Sequence, residues 1–243
     1  MSRLVIVSNR VAIPGRRGGA QGGVATGLFE ALRQEGGLWF GWNGRLSEAA
    51  PAVPALATDA EIAFALIPLT RREFEGYYIG FANRCLWPVF HAQLHLMRYD
   101  VAAFGIYLEV STHWAEALLP LLKTGDLIWV HDYHLIPLGG ALRKKGVAAP
   151  IGFFLHTPFP GVDLLRALPG QARLIEQLLA YDLVGFQTPL DCLSLLQGPR
   201  IFPPGSTPGA GWGPPCGTFY AHPEFPDRDR CRSGRPTRTQ RPE

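Results

Sequence analysis

Residues 1–32 read MSRLVIVSNRVAIPGRRGGAQGGVATGLFEAL. Leu4-Val5-Ile6-Val7 is an unbroken, mostly β-branched apolar run, the pattern of a strand buried on both faces in a parallel sheet. A glycine-rich loop follows from Gly15 to Gly23. Ala25, Leu28, Phe29 and Leu32 then recur at helical spacing. Strand, glycine-rich loop and helix in that order open an α/β domain.

Working outward, the same alternation returns. Leu127-Ile128-Trp129-Val130 reads as a second buried strand, and residues 135–145 as a helix closed by Gly146 with basic residues in its last turn. Residues 151–155 read as a third strand. Residues 164–179 read as helical with a break near Pro169 and Gly170, and residues 182–186 as a fourth strand. Between the two halves, residues 38–70 read as short strands and loops, residues 71–90 as aromatic-rich and partly helical, and residues 114–122 as a helix. Strands alternating with helices predict a Rossmann-like, doubly wound parallel sheet.

The chain has 243 residues, 47% hydrophobic and 18% charged, which suits a folded domain with a sizeable core. A formal net charge of +3 gives no general electrostatic case for a nucleic acid or an anionic membrane as partner. The cysteines at 85, 192, 216 and 231 form no CxxC pair, so neither a zinc ribbon nor a redox motif is expected. The opening apolar run is too short for a secretory signal, and no apolar stretch is long enough to span a bilayer. A cytoplasmic location is the expectation.

Composition changes abruptly after Leu195-Leu196. Residues 198–243 hold 10 of the 22 prolines, 7 glycines, 7 arginines and no lysine, with no period of 2 or 3.6. The boundary expected is a folded domain over residues 1–197 and a disordered Pro/Gly/Arg-rich tail over residues 198–243. A frameshift near residue 195 would leave such a pattern.

Several polar residues fall where strands end, and in open α/β sheets the carboxyl ends of strands face the ligand crevice. Gly22-Gly23 leads into a helix whose free N-terminal amides suit a diphosphate, although neither GxGxxG nor GxxxxGK[ST] is present and a surface turn fits as well. Arg10 follows the first strand, where a guanidinium could clamp a phosphate or simply lie on the surface. His131-Asp132-Tyr133-His134 follows the second. Asp132 could accept from sugar hydroxyls, hold a base or cap a helix. His131 and His134 lack a third ligand at metal-binding spacing, so no metal is expected. His156 closes the third strand before Thr157-Pro158-Phe159-Pro160, where it is either a site residue or a satisfied histidine. Trp39-Phe40-Gly41-Trp42, Tyr77-Tyr78 and Trp87 enrich the first half in aromatics, which serve a core or the C–H faces of sugars.

Taken together, MSRLVIVSNR, QGGVATGL, GGLWFGWNG, EGYYIGFANRCLWPVFH, DLIWVHDYHLIPL, IGFFLHTPFP and YDLVGFQT resemble the retaining glycosyltransferase family 20, the trehalose-6-phosphate synthases. They keep that family's order and spacing over roughly residues 1 to 190, nearest to its bacterial UDP-glucose-using branch. The resemblance implies a GT-B architecture, two Rossmann-like domains facing each other across a cleft, of which this chain carries the N-terminal, acceptor-side one and lacks the second. It implies transfer of glucose from UDP-glucose to glucose 6-phosphate with retention, without metal or cofactor. By motif, Arg10 would bind the acceptor phosphate. Trp42, Tyr78, Trp87 and Asp132 would line the acceptor pocket, Gly22 and Gly23 would meet the donor diphosphate, and His156 would contact the transferred glucose. His156 and Asp132 are the catalytic candidates. Homo-oligomers are compatible with the full-length family.

The departure from the family lies after residue 198, where nothing resembles its donor-binding half with the Arg and Lys that grip the diphosphate. Little or no turnover is therefore expected from this chain by itself. A different phosphorylated acceptor, such as a glycerol phosphate, or a non-catalytic sugar-phosphate binding module stay open.

Overall fold

The computed structural model describes residues 3–11, 23–201 and 218–221. An eight-stranded sheet runs in the order β3-β4-β2-β1-β5-β6-β7-β8. The strands are β1 (Leu4–Arg10), β2 (Gly37–Ser47), β3 (Ala55–Asp59), β4 (Ile62–Thr70), β5 (Leu127–His131), β6 (Ile151–Phe154), β7 (Leu183–Phe186) and β8 (Thr218–Ala221). All neighbours pair in parallel except β3, which runs antiparallel to β4 at one edge. The helices are α1 (Gly23–Glu35), α2 (Arg71–Glu73), α3 (Trp87–Phe90), α4 (Val101–Leu118), α5 (Leu138–Lys144), α6 (Val162–Leu165), α7 (Gln171–Leu178) and α8 (Pro189–Ile201), with a π-helical stretch at Phe74–Leu86 joining α2 to α3.

The apolar runs form central strands because both faces are covered. Ile6 and Trp39 pack under Leu28 and Leu32 of α1 on one face. Val5, Val7 and Phe40 face the opposite core with Trp114, Tyr107, Leu142 and Ile175. The chain leaves β1 toward β2 and β4 on one side, and β5, β6 and β7 build outward on the other. The strand order therefore reverses between β1 and β5. In open α/β sheets, that reversal opens a crevice beyond the strands' carboxyl ends. Asn9 and Arg10 end β1 there, and His131 and Asp132 end β5 beside them.

Three expectations need correction. The helix expected over residues 114–122 begins thirteen residues earlier, at Val101, and a 3-10 turn at Leu119–Leu121 ends it. Its start is fixed by Asp100, whose carboxylate accepts from the amides of Ala102 and Ala103 at 2.7 and 3.3 Å; such a cap is worth about 1 kcal/mol. The partly helical reading of residues 71–90 understates an unbroken helical run with a wide middle. The domain boundary expected at 197/198 is crossed by α8, which continues through Ile201 and rests Gly198 against Ile175. The short β-branched and aromatic run Thr218-Phe219-Tyr220-Ala221 adds a parallel strand along β7, so the expectation of a tail without structure fails at these residues. The rest of the tail, and the loop from Gly15 to Gly22, lie outside the described residues.

Candidate functional site

The site assembles along the carboxyl edge of β1, β2, β5 and β6. Arg10 reaches over β2, with its guanidinium 5.0 Å from the Trp42 ring centre. Gly44 makes that position possible: a Cβ there would lie 2.1 Å from the guanidinium carbon, and its φ of +80° already favours glycine. The Trp42 indole donates to the Arg45 carbonyl at 2.8 Å, which fixes the ring beneath Arg10.

The π-helical stretch supplies the next wall. Its wider turn sets Tyr77 and Tyr78 to different tasks. Tyr77 is buried and donates to the Asn9 side chain at 2.7 Å, tying the helix to the end of β1. Tyr78 packs on Trp42 at 5.5 Å and stacks on His134 at 5.6 Å and 15°. Long π-helical turns are rare and concentrate at functional sites.

Asp132 follows β5 in a strained conformation, φ 73° and ψ 164°. It precedes a 3-10 turn at Tyr133–Leu135 but makes no side-chain cap bond, so capping does not account for it. Instead its carboxylate accepts from the His156 amide at 3.3 Å. Burial pushes its pKa up to about 6, against the downward pull of the Tyr133 and His156 amides and of nearby His91. The turn itself is held from below, where Tyr107 donates to the Tyr133 carbonyl at 2.6 Å and Tyr133 donates to the Asn83 side chain at 3.0 Å.

His156 sits just past β6, and its Nε2 lies 3.0 Å from Nδ1 of His131. Burial lowers the His156 pKa to about 4 and drives that of His131 well below the ordinary value. Both rings are neutral at pH 7. His134 is lowered to about 3 by burial, and neither of its ring nitrogens has a hydrogen-bond partner. It serves as an aromatic spacer between Tyr78 and Tyr133.

The structure thus brings Arg10, Trp42, Tyr78, Asp132 and His156 to one edge of the sheet. Trp87 stands at the start of α3, 37% exposed and stacked on His91 at 4.1 Å. It joins the group through His91, which acts electrostatically on Asp132. Gly23 is the first residue of α1, and Gly22 lies outside the described residues. Sequence reasoning missed His91, Asn9 and the pairing of His131 with His156. The spacing of Trp87 and His91, four apart on one helix, was the available signal for the first. Among the described residues no group of three or more His, Cys, Asp or Glu could hold a metal ion, and no helix is long and apolar enough to cross a membrane. A cavity of about 290 Å³ lined by Phe29, Arg33, Asp59 and Glu61 lies at the opposite, amino-terminal edge, away from all of these residues.

Comparisons with known proteins converge. The model of glycosyltransferase family 20 matches residues 4–199. The trehalose-6-phosphate synthase of Salmonella choleraesuis is 45% identical over 217 residues, 88% of this chain and 46% of that protein. That of Salmonella arizonae is 47% identical over 196 residues, 81% of this chain and 41% of that protein. A crystal structure of an alpha,alpha-trehalose-phosphate synthase (UDP-forming) from Burkholderia vietnamiensis superposes with a TM-score of 0.79 at 46% identity, over 83% of this chain and 43% of that one. The enzyme from Burkholderia xenovorans in complex with glucose-6-phosphate superposes at 0.75 with 45% identity, over 80% and 42%. This chain spans less than half the length of the curated relatives it matches. The family match runs from the start of β1 into α8, taking in strands β1 to β7, and on it the chain belongs to glycosyltransferase family 20.

Proposed function

We propose that this chain forms the acceptor-side wall of a retaining glucosyltransferase that makes trehalose 6-phosphate and UDP from UDP-glucose and glucose 6-phosphate. The observation that carries the reading is the gathering of Arg10, Trp42, Tyr78, Asp132 and His156 at the crevice where the strand order reverses. A guanidinium held over an indole can offer its fork to a phosphate. Trp87 offers a face to a sugar ring, and Tyr78, stacked on Phe74 and His134, lines the pocket with its edge and hydroxyl. The Asp132 carboxylate, ionised above its pKa of about 6, accepts from a sugar hydroxyl and orients it. His156 reaches toward the transferred glucose, and Gly23, the first residue of α1, with Gly22 before it in the sequence, would bring the helix's N-terminal amides to the donor diphosphate.

Two relatives support the substrate pair. One is the Burkholderia xenovorans structure with glucose-6-phosphate, and another is the Escherichia coli protein bound with UDP-2-fluoro glucose. In this reading residues 1–197 and the end of α8 make the acceptor-side domain. The reaction needs no metal or cofactor, and the protein works in the cytoplasm.

The test is a titration of the 15N-labelled chain with glucose 6-phosphate, glucose and glycerol 3-phosphate. The reading predicts that glucose 6-phosphate shifts the amides of residues 9–10, 132–133 and 156 at the lowest concentration. Glycerol 3-phosphate acting at least as well would identify a different phosphorylated acceptor. No shift at these residues with any of the three would remove the acceptor site from this edge.

A further inference from the structure

His131 belongs to the sheet rather than to any wall of the crevice, yet among the described residues its side chain makes one polar contact, to His156. The rings lie 5.2 Å apart at 27°, with His131 Nδ1 at 3.0 Å from His156 Nε2. A hydrogen bond between two neutral imidazoles uses one proton, so one ring donates and the other accepts. Two arrangements satisfy it. Either His131 Nδ1–H donates, which leaves His156 protonated on Nδ1, or His156 Nε2–H donates, which leaves Nδ1 of His156 a bare acceptor.

The far nitrogen of His131 decides between them. Nε2 of His131 is buried without a hydrogen-bond partner, and the residue is 1% exposed. Its ring packs on Trp129 at 4.4 Å, a neighbour with no lone pair to offer at that face. If His156 were the donor, His131 would carry its own proton on Nε2 and bury an N–H without an acceptor. In the other arrangement Nε2 is a bare lone pair. Orphaned buried N–H groups are rarer than under-used buried acceptors, so the first arrangement is favoured. Nδ1 of His156 has no partner among the described residues and is the ring nitrogen left for a ligand.

We infer that His131 is a positioning residue that holds His156 in its Nδ1–H tautomer, so that His156 meets the transferred sugar as a neutral hydrogen-bond donor to one of its oxygens. The identity of the sugar rests on the proposed function; the placement of the proton does not. Burial keeps both rings uncharged at pH 7, which excludes two donors facing each other. A neutral donor grips a hydroxyl oxygen without the desolvation penalty of an imidazolium.

The experiment is a long-range 15N–1H correlation spectrum of the histidine-labelled, 243-residue chain at pH 7. The two rings are assigned by their loss in His131→Asn and His156→Phe. The expected result is a pyrrole-type Nδ1 and a pyridine-type Nε2 in both rings. His131→Asn keeps an amide donor near the lost Nδ1 and should leave the His156 pattern unchanged. His131→Leu removes the donor and should let His156 redistribute its proton between the two nitrogens. A protonated Nε2 on His156 in the unaltered chain would overturn the inference, and so would a pattern that His131→Leu leaves unmoved. Should His131→Leu fail to fold, the unaltered spectrum still decides. The readout needs neither ligand nor turnover, so a chain with the expected tautomers that ignores glucose 6-phosphate would count against the functional reading alone.

Discussion

The Asp132 carboxylate, on a residue whose own backbone stands at φ 73° and ψ 164°, accepts from the His156 amide at 3.3 Å. That region of backbone space is almost reserved for glycine and costs a side-chain-bearing residue about 1–3 kcal/mol. Burial adds a second cost by lifting the Asp132 carboxyl from its ordinary 3.8 to about 6. The proposed function gives this carboxylate a role in the crevice that would account for a residue expensive in both backbone and charge.

Replacing Asp132 should therefore stabilise the chain and weaken the site. Because the folded pKa is raised, the folded chain keeps a proton between pH 3.8 and about 6 that the unfolded chain gives up. Stability falls as pH rises through that window and is level above it. The penalty at pH 7 is on the order of 3 kcal/mol. Asp132→Asn removes it, still accepts from His156, and should raise the unfolding midpoint at pH 7 while flattening its decline between pH 4 and 6. A midpoint lower than that of the unaltered chain at pH 7 would contradict the assignment. In the unaltered chain, affinity for the acceptor should rise as pH increases through about 6.

Gly44 should matter for binding although it touches no ligand in this account. Its Cβ position coincides with the Arg10 guanidinium, 2.1 Å from its carbon. In Gly44→Ala the flexible guanidinium moves off Trp42, and the phosphate contact is lost or lengthened. A charge-assisted hydrogen bond is worth about 1.5–3 kcal/mol, so the loss in glucose 6-phosphate affinity should be about tenfold or more. Gly44→Ala and Arg10→Ala should not add, because they disturb one contact; additive losses would separate the two.

A second pH effect lies away from the crevice. His113 sits between two acceptors, Glu73 at 3.2 Å and the Pro51 carbonyl at 2.9 Å, and both raise its pKa. Burial raises the Glu73 carboxyl, but His113 and Thr70 outweigh it and leave a net lowering. The stabilisation from His113 is complete below its unfolded value of 6.5 and is lost as pH climbs through the raised folded value. That from Glu73 is complete above 4.5 and is lost as pH falls through the lowered one. The pair should thus contribute fully between about 4.5 and 6.5. His113→Ala leaves the buried Glu73 without its histidine partner and should lower the free energy of unfolding by about 3 kcal/mol there. The difference should shrink as pH rises, which chemical denaturation from pH 5 to 9 would detect; a constant difference would contradict the charge state assigned to His113.

Most of the sheet could be read from the sequence because its central strands are apolar runs, as Val5, Ile6 and Val7 of β1 and Ile128 and Val130 of β5, all buried, show. The α4 start was not, because Asp100 caps the helix through its geometry and the stretch from Val101 to Leu108 carries no charged residue to mark a polar face. β8 went unread for another reason: a four-residue strand among prolines carries too little pattern, and it forms only because β7 offers it a free edge. Of the candidate residues, Arg10, Asp132 and His156 were legible as strand ends. Their partners were not, since His131 meets His156, and Tyr77 meets Asn9, only when distant segments become neighbours in the sheet and the π-helical turn.

The most direct test of the account is calorimetric titration of glucose 6-phosphate into the unaltered chain, Arg10→Ala and Arg10→Lys. The account predicts weak one-to-one binding, a loss of roughly ten- to a hundredfold in Arg10→Ala, and incomplete recovery in Arg10→Lys, which lacks the planar fork. Affinity unchanged in Arg10→Ala would take Arg10, and with it the phosphate end of the proposed acceptor site, out of the crevice.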